Sequence, residues 1–269
     1  MSDQPVVLER AGDVAVVTLQ GGPRGALLDH VAWDALRRAS LQLSDAPPRV
    51  AILTGSGAFC RGLDPSLDNA IVRDLERLGR GSDTYRVAER LKGLREVLLS
   101  FSRVPCPVIA AVEGPCLGAG FELALAVDLR VAARNATFGL PEIGFGVTPM
   151  GGGLVHLHRL LGPARAHELV LTGRTLDASE AQSWGLLNRV VEPGRALDGA
   201  LELASTLIRS SRQAVLQAII ASREIARGAD DPLDVETQAA ARTLAAGALE
   251  RGLPAWREAR AKAPRGRTE

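Results

Sequence analysis

Near its centre the chain reads Pro107-Val-Ile-Ala-Ala-Val-Glu-Gly-Pro-Cys-Leu-Gly-Ala-Gly-Phe-Glu-Leu-Ala-Leu-Ala-Val-Asp128. Residues 108–112 form a short apolar run rich in branched side chains, which is typical of a buried strand. The run leads into the glycine-bearing residues 114–120, and residues 121–127 have a helical composition. Strand, small-residue loop and apolar helix in direct succession predict a unit of an α/β fold.

Toward the N-terminus the same kind of transition occurs once more. Residues 50–53 predict a strand, and a second glycine-bearing segment follows in Phe59-Cys-Arg-Gly-Leu-Asp64. Before it, residues 6–9 and 14–19 predict a hairpin around Ala11-Gly12-Asp13. A helix is predicted behind Asp29 and ends before Pro47-Pro48, from apolar positions at helical spacing: Val31, Ala35, Leu36, Ala39 and Leu43.

The remaining segments differ in character. Residues 64–102 are rich in charge, break at residues 79–83 and then continue as a helix through Leu91, Leu94, Leu98 and Phe101, and we expect a peripheral, mobile excursion. Beyond residue 191 only helices are predicted, over 197–227, 234–249 and a short segment around Trp256, with breaks at 228–232 and 252–254. The expected division is a core of residues 1–195 and a helical region of residues 196–269.

Composition excludes several classes of function. With 269 residues, 46% hydrophobic, the chain can form a core without disulfides. Its 32 basic and 31 acidic side chains give a net charge of +1, which predicts no nucleic-acid partner. The basic residues 257–267 are an exception; they are interpreted as a solvated terminus, with binding to nucleic acid or an acidic partner as the alternative.

Localisation is predicted from the termini and the cysteines. Residues 1–10 lack the basic and apolar regions of a signal peptide, and the apolar stretches are too short to cross a bilayer, so no membrane association is expected. Cys60, Cys106 and Cys116 form no CxxC pair, which favours reduced thiols. We therefore expect a cytoplasmic protein.

Two carboxylates stand alone in apolar sequence. Glu122 is the only charged residue between Glu113 and Asp128, and Glu142 lies between Arg134 and Arg159 with no other charge. A carboxylate in apolar surroundings either finds strong donors or has a raised pKa suited to proton transfer. The alternatives are structural: Glu122 interacting with a helix N-terminus, and Glu142 capping nearby amides.

Backbone amides provide a second candidate element. The residues Leu117-Gly-Ala-Gly120 place small side chains where a strand turns into a helix, so unpaired amides there can face an anion. The segment 59–64 can present another amide from a different part of the fold. Two convergent donors would make an oxyanion hole. The alternative for either loop is an ordinary turn glycine.

Other chemistries do not fit. Residues 118–123 begin like a dinucleotide fingerprint, but Leu123 stands where the last Gly or Ala is needed. There is no GxxxxGK[ST] phosphate loop and no GxSxG elbow. His156 and His158 diverge on a predicted helix and no HExxH is present, so together with His167 they do not predict a metal site.

Residues 107–128, followed by Ala136-Thr-Phe-Gly-Leu-Pro-Glu-Ile-Gly-Phe-Gly146, resemble the enoyl-CoA hydratase/isomerase (crotonase) superfamily. Similarity extends through residues 51–64, Leu171-Thr-Gly-Arg and residues 184–191, so it covers most of residues 5–200. The resemblance implies an α/β fold, a spiral of repeated ββα units, with a C-terminal helical region that forms homotrimers or homohexamers.

The resemblance also implies a reaction. In this family two backbone amides, here those of Leu63 and Ala119, hold the thioester oxygen of an acyl-CoA, and hydratases add two glutamates, here Glu122 and Glu142. It implies an enoyl-CoA hydratase of fatty acid metabolism, a lyase that adds water to a 2-enoyl-CoA. No separate cofactor is implied, because coenzyme A is part of the substrate.

Other functions are also compatible with the sequence, and two positions differ from the family sequence. The runner-up is a Δ3,Δ2-enoyl-CoA isomerase using Glu142 alone, or another dehydratase or decarboxylase of a biosynthetic pathway; a different class is a catalytically silent binding or assembly protein. The family often has an asparagine before an Ala-Leu pair near the first helix, where this chain has Arg24-Gly-Ala-Leu27. Met150 replaces a glycine near the reacting water, where it either narrows the acyl pocket or fills the core.

Overall fold

A computed structural model describes residues 4–81 and 83–262 of the chain. Its strands are β1 (Val6–Ala11), β2 (Val14–Gly22), β3 (Ala26–Leu28), β4 (Val50–Gly57), β5 (Cys60–Leu63), β6 (Val108–Val112), β7 (Pro115–Leu117), β8 (Leu129–Ala133), β9 (Thr137–Gly139), β10 (Thr175–Asp177) and β11 (Arg189–Val191). Its α-helices are α1 (His30–Asp45), α2 (Ala70–Arg80), α3 (Thr84–Ser100), α4 (Ala119–Ala126), α5 (Gly153–Thr172), α6 (Ala178–Ser183), α7 (Ala196–Arg209), α8 (Arg212–Arg227), α9 (Pro232–Ala245) and α10 (Ala248–Lys262).

The strands form two sheets. One has the order β1-β2-β4-β6-β8-β11 and the other β10-β9-β7-β5-β3. All neighbouring strands are parallel except the pairs β1–β2 and β9–β10. Parallel strands need crossover connections, and in this chain the helices between strand pairs provide them.

Each repeat places one strand in each sheet and then forms a helix. This order is seen in β2-β3-α1, β6-β7-α4 and β8-β9-α5, while β4-β5 is followed by two helices. The predicted spiral of ββα units is therefore confirmed. Strands β3, β5, β7 and β9 are parallel neighbours in the second sheet, so their C-terminal ends lie side by side. The helix that follows each strand begins near this edge of the sheet.

Local sequence explains the elements of the first units. The side chain of Asp29 caps α1 by accepting a 2.8 Å hydrogen bond from Ala32 N–H, as its sequence position predicts. The strand β6 is buried along its whole length, which explains why its sequence is a continuous apolar run rather than an alternating one. The predicted opening hairpin is observed as β1 and β2.

The expectation of a peripheral excursion over residues 64–102 is wrong in part. This segment forms α2 and α3, and Leu94 and Leu98 of α3 belong to the hydrophobic core. Trp33 of α1 donates its indole N–H to Leu94 O at 3.3 Å. The apolar positions of α3 were predicted from the sequence, but the high charge of the segment wrongly indicated a peripheral location. The mobility of the segment stays a prediction.

The C-terminal helices differ from the prediction at two points. The predicted helix 197–227 is two helices, because Ser211 caps α8 by accepting a hydrogen bond from Ala214 N–H at 3.4 Å. The predicted break at 252–254 lies inside α10, and the chain instead turns at Gly247, which has a φ of 68°. Of the basic residues 257–267, residues 257–262 continue α10 and residues 263–267 lie outside the described part of the chain.

The chain divides into two compact units, Met1–Thr206 and Leu207–Glu269. The first contains both sheets, and the second consists of helices in its described part. The functional division expected at residue 195 stays a prediction. Among the described helices, none combines the length and apolar character that a membrane span requires.

Candidate active site

The helix α4 begins at a backbone position that only glycine adopts easily. Gly118 precedes it with a φ of 53°, and its N–H donates to Gly139 O at 2.9 Å, which fixes the helix start to β9. Within the part of the chain that the structure describes, no side chain caps this N-terminus. The first N–H groups of an α-helix have no partner inside the helix, so the Ala119 amide is available to a ligand.

Glu122 lies in the first turn of α4 with 1% of its surface exposed. Its Oε1 accepts hydrogen bonds from Gly151 N–H at 2.7 Å and from Gly153 N–H at 3.0 Å. Burial raises the pKa of Glu122, and these two hydrogen bonds oppose the rise by stabilising the carboxylate. Both bonds go to Oε1, and among the described residues no hydrogen bond to Oε2 is observed.

The glycines of residues 151–153 were not predicted as site residues. A Cβ at Gly151 would overlap Glu122 Oε2 and Leu98, and a Cβ at Gly153 would lie 2.8 Å from Leu140 Cδ1. Only glycine therefore lets this turn approach the carboxylate closely enough to donate two N–H groups. The run of three glycines in the sequence was the available signal.

Glu142 lies in a short 3₁₀ turn, Pro141–Phe145, and is partly buried. Its Oε2 is buried and has no hydrogen-bond partner among the described residues. Burial raises the pKa of Glu142 to about 7, its own backbone N–H opposes the rise, and the charge of Glu122 adds to it. This carboxyl therefore changes protonation near neutral pH, as general acid–base catalysis requires.

The two predicted glutamates face the same small region. A Cβ at Gly118 would lie 3.0 Å from Glu142 Oε1, while Gly118 O accepts a 2.9 Å hydrogen bond from Glu122 N–H. The electrostatic effect of Glu122 on Glu142 also requires the carboxylates to be near each other. The isolation of both acids in the sequence is thus matched by a shared site in the fold.

The second predicted amide, that of Leu63, lies at the end of β5 beside this site. A Cβ at Gly62 would lie 3.2 Å from Ala119 N and 2.9 Å from Leu117 O, so the end of β5 contacts the start of α4. On either side of Leu63, Gly62 N–H donates to Cys60 Sγ at 3.4 Å and Asp64 N–H donates to Leu28 O at 3.1 Å. Leu63 pairs with Leu28 of β3, but the N–H that bonds Leu28 O is that of Asp64, so the Leu63 N–H is directed to the other side of β5, where β7 leads into α4.

A buried arginine, not singled out from the sequence, holds the other end of α4. Arg130 of β8 donates from Nη1 to Ala124 O at 3.1 Å and to Val127 O at 2.8 Å. Its Nε donates to Leu186 O at 2.8 Å. A single charge inside the apolar residues 129–133 was the sequence signal. Arg130 satisfies the C-terminal carbonyl groups of the helix that carries Glu122.

Three further residues considered in the sequence are Met150, His158 and His167. Met150 is partly buried and packs against the hydrophobic core, as its interpretation as a core filler predicts. His158 and His167 contact each other edge to face with ring centroids 5.0 Å apart. Within residues 4–81 and 83–262, no three His, Cys, Asp or Glu side chains cluster in a way that could hold a metal ion.

Comparison with known proteins places this geometry in a family. A sequence model described as enoyl-CoA hydratase/isomerase matches residues 9–263. The chain belongs to the enoyl-CoA hydratase/isomerase family. A carnitinyl-CoA dehydratase of Salmonella enteritidis PT4 is 40% identical over 211 residues, which are 77% of this chain and 76% of the relative.

Solved structures of enoyl-CoA hydratases share the fold of this family member. One from Bacillus anthracis has a TM-score of 0.82 at 32% identity and covers 95% of this chain and 96% of its own. Another, from a Polaromonas species, has a TM-score of 0.80 at 30% identity and covers 93% and 96%. The predicted crotonase fold is confirmed, and the predicted carbon–oxygen lyase class agrees with the names of these relatives.

Proposed function

We propose that this protein adds water to the double bond of a 2-enoyl-CoA thioester and catalyses the reverse dehydration of a 3-hydroxyacyl-CoA. Hydratase or dehydratase action on CoA thioesters is the function common to the named relatives. The observation that carries the finer proposal is the pairing of Glu122, held by two amides, with Glu142, whose pKa is raised to about 7.

The two amides polarise the thioester. Its carbonyl oxygen would accept hydrogen bonds from the N–H groups of Leu63 and Ala119, which draws electrons from the conjugated double bond and makes C3 electrophilic. Negative charge then develops on that oxygen as the enolate forms. These hydrogen bonds strengthen in the transition state, and removing one such donor costs about 10²–10³ in rate in known enzymes.

The two carboxylates move the protons. Glu122 Oε2 would orient a water molecule and take its proton as the oxygen bonds to C3, while protonated Glu142 delivers a proton to C2 of the enolate. The C2–C3 π bond, one O–H bond of water and the O–H bond of Glu142 break, while a C3–O bond, a C2–H bond and an O–H bond on Glu122 form. Each step is reversed in dehydration. The pair ends with the proton on Glu122 instead of Glu142, and exchange with solvent restores the starting state.

A second candidate differs in substrate rather than in chemistry. The 40% identical relative is named a carnitinyl-CoA dehydratase, so we also propose carnitinyl-CoA, a 3-hydroxyacyl thioester, as a candidate substrate. An isomerase of this family needs only Glu142, and a silent binding protein needs neither acid. The two hydrogen bonds to Glu122 favour a reaction in which both acids take part.

Turnover of thioesters in H₂¹⁸O tests the proposal. The panel comprises 2-enoyl-, 3-enoyl- and 3-hydroxyacyl-CoA thioesters of increasing length together with carnitinyl-CoA, with products resolved by mass and double-bond position. We expect ¹⁸O at C3 of the hydrated product. A shifted double bond without oxygen uptake would establish an isomerase instead, and no turnover of any member would support the silent binding protein.

Substitution of the acids provides the residue-level test. Glu122→Gln and Glu142→Gln should each lower kcat by about 10²–10⁴, the usual contribution of a general acid or base. The matched control is Glu236→Gln on the exposed face of α9, which should leave kcat unchanged. Near wild-type hydration by both site variants would contradict the assigned roles.

Assembly, cofactors and localisation follow from the same proposal. We propose a homotrimer or homohexamer in the cytoplasm that needs no cofactor beyond the coenzyme A of its substrate, as the family resemblance implies. Light scattering of the purified protein measures the oligomeric state. Turnover after exhaustive dialysis against a chelator tests whether a cofactor is needed.

A further inference from the structure

Two cysteines lie directly below the candidate oxyanion site. Cys60 is the first residue of β5 and Cys116 is the middle residue of β7, and the two are paired across these parallel strands. Both are fully buried, with 0% of their surface exposed. The thiols occupy corresponding positions, because Leu63 is three residues after Cys60 and Ala119 is three residues after Cys116.

Each sulfur bonds the backbone next to one of the two amides. Cys60 Sγ accepts a 3.4 Å hydrogen bond from Gly62 N–H, the residue before Leu63. Cys116 Sγ donates to Gly120 O at 3.6 Å, the residue after Ala119. Both distances are normal for bonds to sulfur, which are longer than those to oxygen.

Cys60 also sets the distance between the two segments. A Cβ at Gly120 would lie 2.7 Å from both Cys60 Cβ and Cys60 O and 2.8 Å from Cys60 Sγ, so the first turn of α4 packs directly against this residue, its sulfur included. Interiors are close-packed, and loss of a buried sulfur lets neighbouring backbone shift by a fraction of an ångström. Such a shift would change the separation of the Leu63 and Ala119 amides.

We propose that Cys60 and Cys116 are positioning residues that fix the spacing and direction of the two amides that hold the thioester oxygen. The inference rests on the proposed function, since it assigns these thiols a role only if the amides bind a carbonyl. The thiols are not nucleophiles, because burial raises the pKa of Cys60 to about 12 and that of Cys116 well above its ordinary value.

The test compares alanine and serine variants with a matched cysteine. Cys60→Ala and Cys116→Ala remove each sulfur, and Cys116→Ser keeps a donor for Gly120 O. The control is Cys106→Ala, which removes another buried thiol, located before β6 and outside the strand pair that carries the amides. Circular dichroism and the oligomeric state establish that each variant is folded; if Cys60→Ala does not fold, the two Cys116 variants decide.

Kinetics should separate positioning from binding. We expect kcat for hydration to fall about tenfold in Cys60→Ala and Cys116→Ala, less than the ~10²–10³ that loss of a whole donor costs. KM should change little, because misplaced amides weaken the transition state more than the bound substrate. Cys116→Ser should recover most of the loss, Cys106→Ala should match the wild type, and the pH profile should keep its shape in every variant.

A spectroscopic measurement reports on the amides directly. Butanoyl-CoA labelled with ¹³C at its carbonyl is saturated and cannot react, and isotope-edited infrared spectra give the carbonyl frequency when it is bound. The wild type and Cys106→Ala should shift this band to lower frequency, and the Cys60 and Cys116 alanine variants should shift it less. A general loss of stability would not produce that pattern.

The outcomes distinguish this inference from the proposed function. Folded alanine variants with the wild-type kcat and the wild-type carbonyl shift would overturn the positioning role alone. A wild-type protein that neither hydrates any thioester of the panel nor shifts the band would overturn the proposed function as well.

Discussion

The Gly151 N–H group donates a hydrogen bond of 2.7 Å to Glu122 Oε1, between residues 29 positions apart in the sequence. Gly153 donates to the same oxygen at 3.0 Å. Two backbone amides hold one carboxylate oxygen by hydrogen bonds, and this also fixes the orientation of the other oxygen. A buried carboxylate without such donors would be costly or protonated.

Gly151→Ala should therefore damage the site more than its size suggests. The added Cβ would overlap Glu122 Oε2 and Leu98, so the carboxylate or the turn must move. We expect kcat to fall by about 10²-fold, as misplacement of a catalytic group by ~1 Å does. Unfolding free energy should fall by about 1–3 kcal/mol, as overpacking of a core usually causes.

The matched control for that change is Gly93→Ala on α3. A Cβ at Gly93 meets nothing within 4 Å. Alanine is favoured over glycine inside a helix, so this variant should be as stable as the wild type or more so and should keep its kcat. Equal kcat in both variants would show that the Gly151 turn does not hold Glu122 in a catalytic orientation.

The pH dependence of kcat/KM should be bell-shaped and the same in both directions. Hydration takes up no net proton, so the equilibrium is independent of pH and the forward and reverse profiles must be parallel. The active form carries one proton on the two carboxyls, whose titrations are coupled. Because the pKa of Glu142 is raised to about 7, activity should fall as the pH rises through that region.

Substitution identifies the limbs of this profile. Glu142→Gln should remove the limb near neutral pH from whatever activity remains, since the remaining carboxyl titrates without its partner. Profiles of wild-type hydration and dehydration measured with a matched pair of thioesters provide the check. An upper limb that is unchanged in Glu142→Gln would mean that another group controls it.

The sequence was sufficient for the parts of the site that depend on local pattern. Residues 108–112 and 121–127 predicted β6 and α4, and the lone charges singled out Glu122 and Glu142 before any contact was known. Local pattern is informative there because buried parallel strands leave continuous apolar runs in which a single acid stands out.

Contacts between distant segments were not predictable in the same way. The amides of residues 151–153 meet Glu122 only because α5 begins beside α4, and the pairing of Cys60 with Cys116 depends on the order of strands in the second sheet. A glycine run or a lone cysteine carries no information about its partner. The apolar positions of α3 were predicted, but their place in the core was not, since the sequence does not show which distant segments pack against them.

Glu142 should lower the stability of the protein above neutral pH. Its pKa rises from the ordinary 4.5 to about 7 on folding, so the native state binds more protons than the unfolded state in between. Stability contributed by this group is therefore complete below the unfolded pKa and is lost as the pH rises to about 7. The full effect is about 3 kcal/mol for a shift of this size.

Glu142→Gln removes this titration and should become more stable relative to the wild type as the pH rises. Urea unfolding at pH 5 and pH 8 measures it, and the difference between variant and wild type should grow by roughly 2–3 kcal/mol over that range. Glu236→Gln, an exposed substitution, should show no such change. A pH-independent difference for Glu142→Gln would contradict the burial of an unpaired carboxyl.

Arg130 should be essential for stability although it lies on no surface that a substrate reaches. It is 5% exposed, and burial lowers the pKa of its guanidinium to about 10. Arg130→Met keeps much of the side-chain volume but leaves the carbonyls of Ala124, Val127 and Leu186 without their donor. Each unsatisfied buried carbonyl costs about 1–3 kcal/mol, so we expect a loss of about 3–5 kcal/mol in unfolding free energy.

The matched control for this change is Arg134→Met, at the residue that follows the last residue of β8. Arg134 is exposed and its ion pair with Glu192, at 2.7 Å, joins two solvated side chains. Exposed ion pairs contribute little to stability, so this variant should unfold at nearly the wild-type urea concentration. Because Arg130 holds the C-terminal end of α4, residual folded Arg130→Met should also lose kcat. Equal stability of the two variants would show that the carbonyls find other donors and that α4 does not depend on this anchor.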